Sequence, residues 1–181
     1  MSTTTHARVY LRPPVPDDED EFLAAMRSST ALHRPWLYPP CEPLDFLSFL
    51  ERAARPTSSF QLVCRLDDCA IAGFININEM IHGNFQSAFV GYGGVARFAG
   101  QGHLTEGMRL VLAHAFGPLG LHRLEANIQP GNTASIALAR RSGFELEGFS
   151  RRYLKIGGEW RDHERWAIRT ETWRAASATA G

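Results

Sequence analysis

The sequence predicts an α/β or α+β domain built on a mixed sheet. Short stretches of alternating apolar and polar residues indicate strands, and four longer stretches carry apolar residues at helical spacing. In order they read strand, two helices, a strand meander, helix, strand, helix and two strands, which is not the alternation of a doubly wound fold. The chain has 181 residues and shows no internal repeat or linker. We therefore expect one domain over residues 1–181, with frayed ends at 1–6 and 175–181.

The N-terminal third is expected to hold one strand and two helices. Val9–Leu11 alternates with polar neighbours and stops at two prolines, as a short strand would. Pro16 and the three acidic residues after it are typical of a helix start, because proline presets φ and carboxylates complement the helix dipole. Residues 30–43 form a proline-rich loop with several aromatic residues. A second helix follows, with its apolar face formed by Phe46, Phe49, Leu50 and Ala53.

The middle of the chain is expected to form a meander of three strands. Phe60–Leu66 and Ala70–Ile77 are apolar stretches separated by a two-aspartate turn, which predicts a hairpin. A second turn at His82–Asn84 leads to a third strand that ends near Val95.

Helices and strands are expected to alternate in the C-terminal half. After a glycine-rich turn, a helix presents an apolar face made of Leu104, Met108, Val111, Leu112 and Ala115. Leu121–Ile128 reads as a strand, and Asn132 is a good N-cap for a helix that runs to Arg141. Gly143 is placed to end that helix, and strands are expected from Phe144 and over Asp162–Arg169.

Composition excludes several classes of partner and site. Nineteen basic and nineteen acidic residues cancel, so no direct nucleic-acid partner is expected. No apolar run approaches ~20 residues and no secretion signal is recognisable, so we expect a cytoplasmic protein without a membrane partner. Three cysteines without Cys-x-x-Cys spacing and histidines without ligand spacing predict neither a disulfide framework nor a metal site.

The glycine-rich turn at Arg97–Gly102 is the strongest functional signal. It lies between a strand and a helix, where unpaired backbone N–H groups and the positive end of the helix dipole favour phosphate. A Walker A loop is excluded because His103 and Leu104 stand where lysine and serine or threonine are required. A dinucleotide fingerprint is disfavoured because Thr105 replaces its third glycine and the turn falls late in the chain. A turn without a ligand remains an alternative.

The turn and the segments around it resemble the GCN5-related N-acetyltransferase (GNAT) superfamily. Arg/Gln-x-x-Gly-x-Gly/Ala is its acetyl-CoA pyrophosphate loop, and Gln129–Gly148 resembles its second signature, in which an asparagine caps a helix closed by Gly-Phe. Gly157–His163, Gly73–Phe85 and Arg34–Trp36 are similar to the ribosomal-protein-alanine N-acetyltransferase (RimJ/RimL-like) branch, most of all to RimJ-like members. The resemblance implies the GNAT fold, a mostly antiparallel sheet of about six or seven strands flanked by about four helices.

The resemblance implies acetyl-CoA as the donor substrate and assigns residues to it. Backbone N–H groups would hold the pyrophosphate, with Arg97 at the mouth, while Val95 would pair its backbone with the pantetheine. Asn132 would lie against the CoA arm in addition to capping its helix. Ser135 would contact CoA or protonate the leaving thiolate, unless it is an exposed helix serine. The N–H groups are those of Gly100, Gln101, Gly102, His103, Leu104 and Thr105.

The proton-transfer groups are less clearly indicated by the sequence. An α-amine with a pKa of ~8 needs only a modest base, for which Glu79 and Glu125 are the candidates. Taken alone, each of them is better interpreted as a solvated strand carboxylate. The tyrosine acid of some relatives is replaced here by Ala139, and Leu154 stands where a related branch has a glutamate. His163, between Asp162 and Glu164, is interpreted as a strand residue that makes a structural pair.

Three functions remain open at this point. The first is acetylation of a protein's N-terminal α-amine, plausibly that of alanine in a ribosomal protein, by direct attack in a ternary complex. The second keeps the chemistry but takes a small amine such as an antibiotic or polyamine. The third is a non-catalytic acyl-CoA-binding regulatory module. Acetyl-CoA and a protein or peptide N-terminus are therefore the expected partners, with a homodimer left open.

Overall fold

The structure, a computed structural model, describes residues 7–179. The frayed N-terminus predicted at 1–6 lies outside the described residues, as do residues 180–181. No helix among the described residues is long and apolar enough to span a bilayer.

Seven strands form one sheet, which confirms the predicted mixed and mostly antiparallel architecture. The sheet order is β1-β2-β3-β4-β5-β7-β6, and only β4 and β5 run parallel. The strands are β1 (Val9–Arg12), β2 (Ser59–Arg65), β3 (Ile71–Ile81), β4 (Ser87–Gly94), β5 (Arg123–Ile128), β6 (Glu145–Ile156) and β7 (Glu159–Arg169).

The helices include the four that the sequence predicts and two that it does not. They are α1 (Glu19–Ser28), α2 (Thr30–His33), α3 (Pro43–Ala53), α4 (His103–Phe116), α5 (Thr133–Arg141) and α6 (Thr170–Thr179). One-turn α2 lies in the segment predicted as loop. Helix α6 continues to Thr179, through most of the end that was expected to fray, and the Trp173 ring holds it against Phe116 at 5.5 Å between centroids.

Helices cover both faces of the sheet and divide the core in two. On one face α4 packs on the sheet through Met108, Val111 and Leu112. On the other face α1 and α3 contribute a cluster of tilted aromatic rings around Phe22, whose centroid is 5.3 Å from that of Phe46. Each fully buried phenylalanine contributes roughly 1.5–3 kcal/mol, so these helices are fixed and the loops between them are anchored.

A gap opens in the middle of the sheet where β4 and β5 separate. These two strands pair only from Ser87 to Phe89 and from Arg123 to Glu125. Beyond that point β4 leads into the glycine turn and β5 leads into α5. The facing edges of both strands are therefore unpaired over their C-terminal halves, which is where backbone groups are free for a ligand.

Candidate active site

Two cavities of about 520 and about 530 Å³ meet at the gap between β4 and β5. The first, here called the loop cavity, is bounded by the glycine turn, the end of β4 and α5. The second, the hairpin cavity, extends to the β6–β7 hairpin. Both are lined at their junction by Trp36, Leu37, Tyr92, Asn132 and Ser135. A ligand in each cavity would bring two reacting groups together at this junction.

The glycine turn presents five unpaired N–H groups. Within residues 7–179, no acceptor is found for the backbone N–H groups of Gly100, Gly102, His103, Leu104 and Thr105. Gly100 and Gly102 adopt the left-handed conformation, with φ of 74° and 84°, and Gly102 is the residue at which α4 begins. Five free donors at a helix N-terminus favour an anion, and this is the arrangement that the sequence predicts for the turn.

A carboxylate holds the turn against β1. Glu106 Oε1 accepts hydrogen bonds from the backbone N–H groups of Arg8, at 2.6 Å, and Val9, at 3.2 Å. The Arg8 guanidinium donates to Glu106 Oε2 at 3.1 Å and to the Gln101 carbonyl at 3.0 Å. Partial burial opposes ionisation of Glu106, but these donors outweigh it and lower its pKa. These contacts between Glu106 and Arg8, here called the brace, fix the glycine turn before any ligand binds. They also place the Arg8 guanidinium beside the turn.

Two predicted cofactor residues point their side chains away from the loop cavity. Arg97 stacks on Phe98, 4.5 Å from the ring centroid, and the Gln101 amide donates to the Arg97 carbonyl at 3.0 Å. The Gln101 backbone N–H is directed to the Phe98 carbonyl at 3.4 Å. Neither residue lines the cavity, whereas Arg141 of α5 does.

The backbone of Val95 is already paired, so the expectation that it offers free groups is wrong. Its N–H donates to the Ala72 carbonyl at 2.9 Å, and its carbonyl accepts from Phe98. Because backbone groups alternate in direction along an antiparallel strand, those of Tyr92 and Gly94 face the gap instead. His33 Nε2 donates to the Gly94 carbonyl at 2.8 Å, and burial lowers the pKa of His33, which favours the neutral ring.

Asn132, Ser135 and Tyr92 form a hydrogen-bonded group at the junction. Asn132 Oδ1 accepts from the Ser135 backbone N–H at 3.1 Å and caps α5, as predicted from the sequence. The Ser135 hydroxyl donates to the Tyr92 hydroxyl at 2.8 Å, which in turn donates to the Ser135 carbonyl at 3.2 Å. Burial raises the pKa of Tyr92 to about 12, so its hydroxyl stays protonated near neutral pH. The sequence analysis missed Tyr92, although a lone tyrosine among the glycines of β4 is a recognisable signal.

The structure separates the two candidate bases. Glu125 lines neither cavity, and its Oε1 accepts from the Arg123 guanidinium at 3.0 Å. The same guanidinium pairs with Glu147, so Glu125 belongs to a structural ion network. Glu79 lines the hairpin cavity at a bulge in β3, where its own φ is 53°. Left-handed backbone at a non-glycine residue is strained and is often found at functional sites.

The segment from Arg34 to Pro40 forms part of both cavity walls. The Gln129 amide donates to the Trp36 carbonyl at 3.1 Å, and the Trp36 ring packs so closely on Gly131 that a Cβ there would lie 2.8 Å from it. At the other end the Tyr38 ring occupies the space that a Cβ at Gly157 would need. The aromatic loop thus joins the β5 end to the β6–β7 turn and closes the junction from one side.

Comparison with known proteins identifies relatives of the chain. The family described as acetyltransferase (GNAT) domain matches residues 8–145. "Probable N-acetyltransferase YjcK" of Bacillus subtilis is 40% identical over 101 residues, which are 56% of this chain and 56% of that protein. The ribosomal protein uS5-alanine N-acetyltransferase of Escherichia coli is 34% identical over 107 residues, 59% of this chain and 55% of that one. The matches thus span little more than half the length of these curated relatives.

A solved structure extends the similarity over nearly the whole chain. RimJ of Mycobacterium smegmatis, in complex with CoA-disulfide, superposes with a TM-score of 0.83 at 28% identity. The superposition covers 95% of this chain and 89% of that chain. The predicted resemblance to this superfamily is confirmed.

Proposed function

The chain belongs to the GNAT acetyltransferase family, and we propose that it transfers acetyl from acetyl-CoA to the N-terminal α-amine of a protein, as a single-domain enzyme. The observation that carries this proposal is the junction itself, where a hydroxyl pair lies between an anion-binding cavity and a second cavity. The named relatives that act on ribosomal-protein alanine support an alanine N-terminus as the acceptor.

Acetyl-CoA is the donor substrate that the loop cavity fits. The five free N–H groups of the turn bind the pyrophosphate, and the guanidinium of Arg8 adds positive charge beside it. The gap-facing backbone groups of Tyr92 and the N–H of Gly94, whose carbonyl is held by His33, pair with the pantetheine like an added strand. This places the thioester toward Ser135 and Asn132, at the junction of the cavities.

The α-amine of the acceptor enters through the hairpin cavity. Among the described residues that line this cavity, Glu79 is the one carboxylate. The other lining side chains are apolar, aromatic or amide groups, together with the Ser135 hydroxyl and the His163 imidazole. One carboxylate at the mouth matches a single ammonium group, whereas a polyamine with several charges would need several. The lining therefore favours a peptide N-terminus over a polyamine.

The reaction is a direct attack within a ternary complex. The amine nitrogen bonds to the thioester carbonyl carbon, the C–S bond breaks, and the nitrogen loses a proton. The Ser135 hydroxyl, which in the structure donates to Tyr92, turns to the departing thiolate and protonates it. The Tyr92 hydroxyl, kept protonated by its raised pKa, turns from the Ser135 carbonyl to return a proton to Ser135, and solvent reprotonates Tyr92. No protein nucleophile is required, since the amine attacks the thioester directly.

An acceptor screen read by mass spectrometry tests the proposal. The panel contains acetyl-CoA with a peptide that begins with alanine, the same peptide blocked at its α-amine, spermidine and an aminoglycoside. We expect one acetyl group on the free α-amine of the first peptide and none on the blocked peptide. Efficient acetylation of spermidine or the aminoglycoside without the peptide would favour the small-amine function.

A further inference from the structure

His163 is a buried histidine in the wall of the hairpin cavity that the reaction above does not use. It lies in β7, one residue before the Glu164 that pairs with Ile128, so it stands opposite Gln129 just beyond the end of β5. Its side chain is only 2% exposed, yet it lines the cavity.

His163 makes its structural contact with the backbone and not with either neighbouring carboxylate. The Asp162 carboxylate accepts instead from the backbone N–H of Arg152 at 2.8 Å, and the Glu164 carboxylate accepts from the Trp166 indole at 2.9 Å. His163 Nδ1 contacts the backbone carbonyl of Arg161 at 2.9 Å. Both neighbouring carboxylates are therefore engaged elsewhere, and the ring is oriented by a backbone group.

This contact determines which ring nitrogen carries the proton. A carbonyl oxygen can only accept a hydrogen bond, so Nδ1 must be the donor. In the neutral ring the lone pair is then on Nε2. Within residues 7–179 no hydrogen-bond partner is found for this nitrogen, and it is not among the fully buried, unpaired polar atoms. Burial lowers the pKa of His163, although the Arg161 carbonyl and the Asp162 charge partly oppose this. Near neutral pH the ring thus presents an unpaired basic nitrogen at the cavity.

A bulge in β6 completes the surroundings of this nitrogen. Arg152, with φ of 47°, interrupts the pairing between Ser150 and Leu154. The bulge brings Tyr153 beside the imidazole, with ring centroids 6.2 Å apart and planes inclined at 64°. The titratable groups that line this cavity with His163 are the Tyr153 and Tyr92 phenols and the Glu79 carboxylate, and Asp162 lies behind the ring.

We propose that His163 is the general base that takes the proton from the attacking amine, directly or through one water molecule. As the N–C bond forms and the C–S bond breaks, the proton moves from the amine nitrogen to Nε2 and later passes to solvent. Glu79, exposed at a bulge, attracts the ammonium form, and Glu125 takes no part. The inference rests on the proposed function, since it assigns the base of that reaction.

The discriminating variant is His163→Asn, because the asparagine amide can replace Nδ1 as the donor to the Arg161 carbonyl while lacking a base. General bases contribute about 10²–10⁴-fold, so we expect kcat/KM for the alanine peptide to fall at least about 10²-fold at pH 7. The Kd for acetyl-CoA and the Tm should change little, and added imidazole should restore part of the rate. The matched control is His114→Asn, which removes a histidine that hydrogen-bonds to Ser59 and lines neither cavity.

Two outcomes would overturn this assignment. The first is wild-type activity in His163→Asn, with the acid limb of its pH profile unchanged. The second, which needs no variant, is an NMR spectrum of the wild-type protein at pH 7 that shows the proton of His163 on Nε2. An inactive wild-type enzyme would refute the proposed function, which the acceptor screen detects separately.

Discussion

Replacing Gly102 with valine should abolish CoA binding while the protein stays folded. The backbone of Gly102 has φ of 84°, and a Cβ there would lie 3.1 Å from Arg8 Nη2. A β-branched residue avoids this conformation, which costs about 1–3 kcal/mol. The turn can relieve that strain only by rotating its N–H groups away from the position that the pyrophosphate occupies.

The loss of affinity can be worked out from those N–H groups. A hydrogen bond to a charged group contributes about 1.5–3 kcal/mol, so losing two costs about 3–6 kcal/mol. The Kd for CoA should therefore rise on the order of 10²–10⁴-fold. Isothermal titration calorimetry of wild-type and variant protein measures this directly.

Gly83→Val is the matched control for backbone strain. Gly83 has φ of 73°, a Cβ there would meet nothing within 4 Å, and it lines neither cavity. Both variants should lose a similar amount of stability, but only Gly102→Val should lose CoA. An unchanged Kd in folded Gly102→Val would refute the assignment of the turn to the pyrophosphate.

The remaining predictions concern the junction and the brace. Ser135→Ala should lower kcat by about 10²-fold and change the Kd for acetyl-CoA only slightly, because the variant loses only the proton donor. Stopped-flow measurement of CoA release checks this prediction. An unaltered kcat would show that Ser135 takes no part in proton transfer. Glu106→Gln should destabilise the protein by about 1–3 kcal/mol at pH 7, since its hydrogen bonds lower the pKa of that carboxylate. Because the pKa of Glu106 is lower in the folded than in the unfolded protein, its ionised form stabilises the fold above the unfolded pKa of about 4.3. The difference in unfolding free energy should therefore shrink as the pH falls below about 4 and vanish once the pH is below the lowered pKa of the folded protein. A difference independent of pH would contradict this reading.

The fold and the part of the site assigned to acetyl-CoA are largely predictable from the sequence because they depend on local patterns. Helical spacing predicted α4, the Asn132 cap predicted α5, and two glycines before a helix predicted the anion site. Each of these signals arises within one turn or one helix, where the chain's own geometry decides the outcome.

The predictions that differ from the structure concern residues whose surroundings are decided by contacts distant in sequence. The sequence predicts free backbone groups at Val95, but its pairing with Ala72 of the neighbouring strand leaves the groups of Tyr92 and the N–H of Gly94 facing the gap. Glu125 pairs with Arg123, which also pairs with Glu147, and this network forms only once β7 aligns β5 with β6. The sequence predicts a structural pair for His163 but not its partner, which is the Arg161 carbonyl, while the bulge at Arg152 engages the Asp162 carboxylate.

A single-turnover reaction tests the central claim most directly. Protein in excess is mixed with acetyl-CoA and a peptide that begins with alanine, and both CoA release and peptide mass are followed. We expect one CoA to be released for each acetyl group gained at the peptide α-amine. Tight binding of acetyl-CoA without transfer to the peptide or to any amine in the panel would contradict it and would establish an acyl-CoA-binding module instead.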